Sequence, residues 1–287
     1  MEDAGVSRRA LLLGGVVALG GLGAVALATG QLPGVGDDLP AGVPSDEPGT
    51  LVSGSFTSAK RAGVRVGWSI SYPPGHDNAP LPVLIALHGR TGHHGDAFGA
   101  SLHLDRFQAR AARRGVAPFA IAAPDGGDHE YWHPRAATDP AGMVVDEFLP
   151  LLAARGLDVR RIGLIGWSMG GYGALYLAGR LGARRVAVAV AESPAIWHHA
   201  AQTVAGAFDD AADFDEHTVF GRAASFRGVA LRIDCGDRDG FAPTTRDLRA
   251  ELTPTPAGGI GPGGHDSVYW RSQAATQLAF VGAHLAG

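Results

Sequence analysis

The sequence predicts an α/β fold, a three-layer sandwich around a mostly parallel central sheet with antiparallel N-terminal strands. Three observations carry this. Val64, Val66, Trp68, Ile70 and Tyr72 alternate with Arg65, Gly67, Ser69 and Ser71, the period of a strand with one polar face. Five later apolar runs, over 83–87, 119–123, 162–165, 186–191 and 229–233, are continuous instead of alternating. Continuous runs suit strands buried on both faces, as in a parallel sheet. Helical stretches lie between them, near 101–114, 141–155, 169–182, 243–252 and 267–285.

Taken in order, the chain opens with an address. Ser7-Arg8-Arg9 is followed by residues 10–28, which carry no charge, and Ala26-Leu27-Ala28 supplies small residues at a cleavable spacing. The Ser-Arg-Arg-x-Leu-Leu run resembles a twin-arginine export signal, whose partner would be the Tat translocase. Gly14, Gly15, Gly20, Gly21 and Gly23 dilute its hydrophobicity as such signals tend to be diluted. An uncleaved anchor is the alternative, because this stretch at about 1.5 Å per residue just spans a bilayer. Either way the folded body is expected outside the cytoplasm, secreted or in the cell envelope. Residues 29–50 hold Pro33, Pro40, Pro44 and Pro48 among Gly, Asp and Ser and read as a flexible tether. Residues 51–287 then form one domain. Pro73-Pro74-Gly75 ends its first alternating strand. The segment 195–228, between the last two continuous runs, is expected as a short cap.

Composition limits the partners. The 287 residues are 46% hydrophobic and 18% charged, enough apolar material for a large core. A net charge of −4 offers no basic stripe for nucleic acid. Lys60 is the sole lysine among the 24 basic residues. The single cysteine, Cys235, forbids an intramolecular disulfide framework and any multi-cysteine zinc site, and reads as a small core hydrophobe.

Ligands in such folds gather at the carboxyl ends of the strands. There, 162–165 runs into Gly166-Trp167-Ser168-Met169-Gly170-Gly171, a Gly-x-Ser-x-Gly between a buried strand and an Ala/Leu-rich helix. A sharp turn at this place holds a serine hydroxyl above the sheet with a helix N-terminus behind it, so Ser168 is the candidate nucleophile. A serine needs a base to take its proton. His265, in Gly263-Gly264-His265-Asp266 before the final helix, is the candidate. The acid that orients the base is expected after the 229–233 run, where Asp234, Asp237 and Asp239 compete. Asp239 is favoured by its Gly-x-x-Asp-x-hydrophobic setting, with Asp237 as the alternative. An oxyanion hole needs two backbone donors, expected at Met169 and at Arg90 in Leu87-His88-Gly89-Arg90-Thr91-Gly92.

These motifs, with Ile233-Asp234-Cys235-Gly236 and Pro124-Asp125-Gly126-Gly127 followed by Tyr131-Trp132, resemble the α/β-hydrolase esterase family that includes S-formylglutathione hydrolase, feruloyl esterases and the antigen 85 mycolyltransferases. The resemblance covers about 60–285. It implies an α/β-hydrolase fold, a Ser168–His265–Asp239 triad, an oxyanion hole at Arg90 and Met169, and no cofactor. Members often carry leucine where Arg90 stands, and the antigen 85 branch uses a glutamate as the acid. Only aspartates are available here, which favours the esterase side.

The expected activity is therefore hydrolysis of a carboxylic ester, small-molecule, glycan or lipid, through an acyl-enzyme. Acyl transfer to a sugar hydroxyl is the alternative, and a non-catalytic binding protein on the same fold a remote one. His88, Trp132, Trp197 and His198 are candidate substrate contacts. His93-His94 and His198-His199 lack the i, i+4 spacing of a helical metal site, so no metal is expected. Asp146 and Glu147 read as structural, and the aspartates of 209–216 as a solvated surface.

Overall fold

The computed structural model describes residues 39–99 and 101–285. The export signal expected over 1–28 and the first part of the tether lie outside them. No helix among the described residues is long and apolar enough to cross a membrane.

Among the described residues eight strands form the sheet: β1 (Leu51–Ser58), β2 (Val64–Ser71), β3 (Pro82–Leu87), β4 (Ala120–Pro124), β5 (Asp158–Trp167), β6 (Val186–Glu192), β7 (Ala230–Gly236) and β8 (Ile260–Gly261). Their order is β1-β2-β4-β3-β5-β6-β7-β8. The pairs β1/β2 and β2/β4 are antiparallel and every later pair is parallel, the mixed sheet the sequence predicts. Among the described residues seven α-helices accompany it: α1 (Leu104–Arg113), α2 (Pro140–Gly142), α3 (Leu149–Ala154), α4 (Met169–Leu181), α5 (Ala211–His217), α6 (Ala242–Glu251) and α7 (Ser267–Leu285).

The period-two geometry of the central strands sorts one continuous apolar run into two cores. In β3, Val83, Ile85 and Leu87 face the layer of α2, α3, α4 and α6, while Leu84 and Ala86 face α1 and α7. In β4, Ala120 and Ala122 face the first layer, Ile121 and Ala123 the second. Each fully buried Leu or Ile in these cores contributes about 1.5–3 kcal/mol of transfer free energy. Stabilisation from both sides holds the strand ends rigid, and those ends carry the site.

Two elements differ from expectation. The helix expected over 141–155 is interrupted: α2 passes into a single π-helical stretch, Met143–Phe148, before α3 begins. Pro150 has no N–H for the carbonyl of Asp146 and its ring crowds that carbonyl, so the register widens ahead of it. The tether also ends earlier than residue 50. Pro44 and Asp46 are buried, and Asp46 accepts from Arg110 Nε at 3.0 Å and pairs with Arg113. Arg106 donates to the Asp46 carbonyl at 3.1 Å. Polar composition concealed this because the docking is through charge.

Glu147 is structural. Its carboxylate accepts from the Ser58 hydroxyl and from the amides of Ala59 and Lys60 at 2.8 and 3.1 Å, closing the β1–β2 turn. Asp146 pairs with Lys60 at 2.7 Å at the surface.

Candidate active site

The turn between β5 and α4 presents Ser168 with φ 56° and ψ −118°, a conformation that L-residues avoid. Its surroundings over-determine it. A Cβ on Gly166 would lie 2.1 Å from the Gly170 carbonyl oxygen, and one on Gly170 would lie 1.9 Å from that of Leu87. Only glycine lets the strand, the helix start and β3 approach this closely. The Ser168 amide donates to the Glu192 carbonyl at 2.9 Å, and the Ser168 carbonyl accepts from Ala195 at 3.0 Å.

His265 lies on the loop between β8 and α7. Its Nε2 is 2.8 Å from Ser168 Oγ and its Nδ1 is 2.8 Å from Asp239 Oδ2. A carboxylate only accepts, so Nδ1 carries the proton and Nε2 is free to accept one from the serine. Asp239 is buried and accepts the Phe241 amide at 2.9 Å on its other oxygen. Burial pushes its carboxyl pKa up, but the hydrogen bonds from His265, the Phe241 amide and the Ser193 hydroxyl outweigh this, and the net shift is downward. The carboxyl is therefore ionised where the imidazole needs it. Of the three aspartates, Asp239 is the one that touches His265. Asp237 is exposed and accepts the Gly263 amide at 3.0 Å, bracing the histidine loop. Asp234 is buried against Arg232 at 2.7 Å and Gln277 at 3.1 Å.

The loop after β3 faces the serine. The Thr91 and Gly92 amides donate to the Asp128 and Gly89 carbonyls at 2.8 and 3.1 Å, leaving Arg90 as the loop's candidate donor. Met169 is the first residue of α4, so its N–H has no intrahelical partner. Arg90 lines a cleft of about 480 Å³ floored by Ser168 and His265 and walled by Tyr131, Trp167, Val204, Phe241 and Trp270, and Met169 directly follows the floor residue Ser168.

A family model described as "Putative esterase" matches residues 59–281. The chain belongs to this esterase family. Among solved structures it is similar to a ferulic acid esterase (21% identity, 82% of this chain and 98% of that one covered, TM-score 0.70). It is also similar to a fluorophosphonate-binding serine hydrolase of Staphylococcus aureus (20%, 81% and 99%, TM-score 0.66). An S-formylglutathione hydrolase of Agrobacterium tumefaciens is a third (17%, 83% and 96%, TM-score 0.64). At these identities the likeness shows the fold, that of the α/β hydrolases. No match was found among the curated proteins.

Three of the four substrate contacts expected of this esterase-family chain need correction, and the fourth stands one layer back. His88 is buried and faces no cleft: its Nδ1 contacts the Gly89 carbonyl at 2.7 Å and its Nε2 accepts the Gly126 amide at 2.8 Å. Burial lowers its pKa, which keeps the ring neutral and matches one donor and one acceptor. Trp132 is fully buried and donates to the His88 carbonyl at 3.1 Å. These two rings, 5.0 Å apart and edge to face, prop the Arg90 loop from behind. His198 pairs with Asp247 at 2.9 Å and packs on Phe220, away from the cleft. Trp197 packs behind the lining residues Tyr131 and Phe241, with ring centroids 5.8 and 5.4 Å away.

The expected substrate contacts missed the walls. Tyr131, at φ 50°, and Phe241 face the cleft. Trp270 stacks edge-on to His265 at 5.2 Å and donates to Ser193 Oγ at 3.1 Å. A Trp three residues into the last helix, five after the candidate base, was the signal available. The cap contributes only Ala195 and Val204 to the lining.

Beneath the nucleophile, Glu192 is buried and its carboxyl pKa is pushed well up, by burial first and by the neighbouring Asp234 second. The folded protein thus holds a proton there that the unfolded chain releases above about pH 4.5. Stability from this site is full at low pH and declines as pH rises. A Glu192→Gln variant lacks the decline. Its melting temperature is expected to match the parent near pH 4 and to exceed it by a widening margin toward pH 8. A margin that is flat or negative over that range, in thermal melts at matched ionic strength, contradicts the assignment.

Proposed function

We propose that this chain is a serine hydrolase that cleaves carboxylic esters through an acyl-enzyme. One observation carries the reading: the unbroken relay from buried Asp239 through His265 to Ser168, with both hydrogen bonds at 2.8 Å, at the floor of an open cleft. In this scheme His265 Nε2 takes the Ser168 proton as Oγ attacks the acyl carbonyl, and Asp239 holds the tautomer and stabilises the imidazolium. The Arg90 and Met169 amides receive the oxyanion. The same histidine returns the proton to the leaving alcohol, and water, activated in turn by His265, releases the acid. Family membership supports the esterase assignment, and the sequence of the first 28 residues supports export by a twin-arginine route.

The cleft favours small or aromatic acyl groups. Its walls are aromatic and it lies under no long cover, since the cap supplies two small-to-medium side chains. A buried acyl tunnel would gain about 0.8 kcal/mol per methylene, roughly fourfold in kcat/KM for each. That gain is not expected here. In a p-nitrophenyl ester panel, kcat/KM should peak at two to four carbons, with aryl-acid esters also turned over, and free acid should remain the product when trehalose is added. A kcat/KM that climbs to ten carbons and beyond, or transfer to the sugar, overturns this reading.

A further inference from the structure

Away from the cleft, three side chains converge between the cap and the body. His133 follows Trp132 on the loop after β4, and Asp213 and His217 stand one turn apart on α5. His133 Nε2 is 3.2 Å from Asp213 Oδ2, and His217 Nδ1 is 2.8 Å from Asp213 Oδ1. One donor atom from each residue lies within 4.8 Å of the others. The side chains are 0%, 12% and 9% exposed.

Proton bookkeeping leaves this cluster incomplete. His133 Nδ1 faces the Tyr131 carbonyl at 3.2 Å while Nε2 faces a carboxylate oxygen. Both partners only accept, and a neutral imidazole has one N–H. The ring is fully buried between these two acceptors, and a neutral ring meets one of them with a lone pair. A cation between Nε2 and the carboxylate removes that conflict. The remaining N–H then sits on Nδ1 against a backbone carbonyl, the way metal-bound histidines are held. Around Asp213, the Asp209 amide donates to Oδ2 at 2.7 Å, and Arg135, 3.9 Å away, is itself neutralised by Asp209 at 2.6 Å.

We propose that His133, Asp213 and His217 form a binding site for a divalent metal of the zinc class, fastening the cap segment to the loop that carries Tyr131. Two imidazoles and a carboxylate are borderline ligands that such ions favour. Tetrahedral ligand atoms about 2.0 Å from zinc are about 3.3 Å apart; the His133–Asp213 contact at 3.2 Å already has that spacing, and the three ligand atoms, within 4.8 Å of one another, would draw in around the ion. A cavity of about 220 Å³ lined by Tyr176, Arg180, Glu216 and His217 reaches the His217 side of the site. No ligand belongs to the Ser168 relay, so this inference stands apart from the esterase reading.

The test uses the full chain stripped with EDTA and titrated with Zn²⁺ by calorimetry. One equivalent should bind with a micromolar or tighter Kd and raise the melting temperature, and Co²⁺ should give the visible bands of a tetrahedral N/O site. His217→Gln and Asp213→Asn should each lose that equivalent, while His284→Gln, on the exposed end of α7, keeps it. Absence of a bound equivalent in the unaltered chain overturns the proposal whatever the variants do. So does binding that survives both substitutions. Should a variant fail to fold by circular dichroism, the cobalt spectrum of the unaltered chain decides, and an octahedral or absent signal counts against the site.

Discussion

Ser168→Ala is expected to lower kcat for a good p-nitrophenyl ester by about 10⁵–10⁶-fold. The expectation follows from the position of the hydroxyl. Oγ is the one atom that joins the His265 relay to the cleft, and no other hydroxyl contacts that ring's Nε2 among the described residues. The residual rate would come from binding and from the Arg90 and Met169 amides. Folding should survive, because the strain at φ 56° belongs to the turn and alanine inherits it without losing a buried contact. Steady-state kinetics beside a thermal melt separate the outcomes. An intact variant with more than a tenth of parental kcat removes Ser168 from the chemistry.

Asp239→Asn should cost about 10⁴-fold in kcat. The carboxylate does three things that an amide cannot do together. It accepts from His265 Nδ1 at 2.8 Å, accepts the Phe241 amide at 2.9 Å, and carries the charge that stabilises the imidazolium. An asparagine NH₂ turned toward Nδ1 would drive the ring proton to Nε2, the atom that must accept from Ser168. Asp237→Asn provides the contrast. Asp237 is exposed and holds only the Gly263 amide and the neighbouring Arg238, so its loss should loosen the histidine loop and cost less than about tenfold. A reversed ranking of the two variants would move the acid to Asp237.

What could be seen in the chain before the fold follows from how local each signal is. Continuous apolar runs mark β3 to β7 because strands buried on both faces need no polar alternation. β1 reads LVSGSFTS, where only Val52 and Phe56 on one face pack against the core, too sparse a pattern to betray it, and β8 is two residues long. The turn at Ser168 is written in glycines that serve close backbone approach, so its letters survive as a motif. The choice among Asp234, Asp237 and Asp239 required the fold, because all three lie within six residues and differ only in which way the loop turns them. His88 and Trp132 were expected at the substrate because they stand in motif loops, yet both point inward. In the proposed scheme the loop acts through the Arg90 amide, and the His88 and Trp132 hydrogen bonds brace the backbone beside it. His133, Asp213 and His217 were beyond reach because the first is 80 residues from the second along the chain, and only the docking of α5 on the Tyr131 loop brings them together.

The central claim is that Ser168 is an activated nucleophile. A fluorophosphonate probe tests it directly, since the probe reacts with a serine only when a base and an oxyanion hole act on it together. The unaltered chain should take up one phosphonyl group, mapped by peptide mass to Ser168, with Ser168→Ala unlabelled and Asp239→Asn labelled far more slowly. Labelling that persists in Ser168→Ala, or a folded parent chain that takes up no probe, would contradict it.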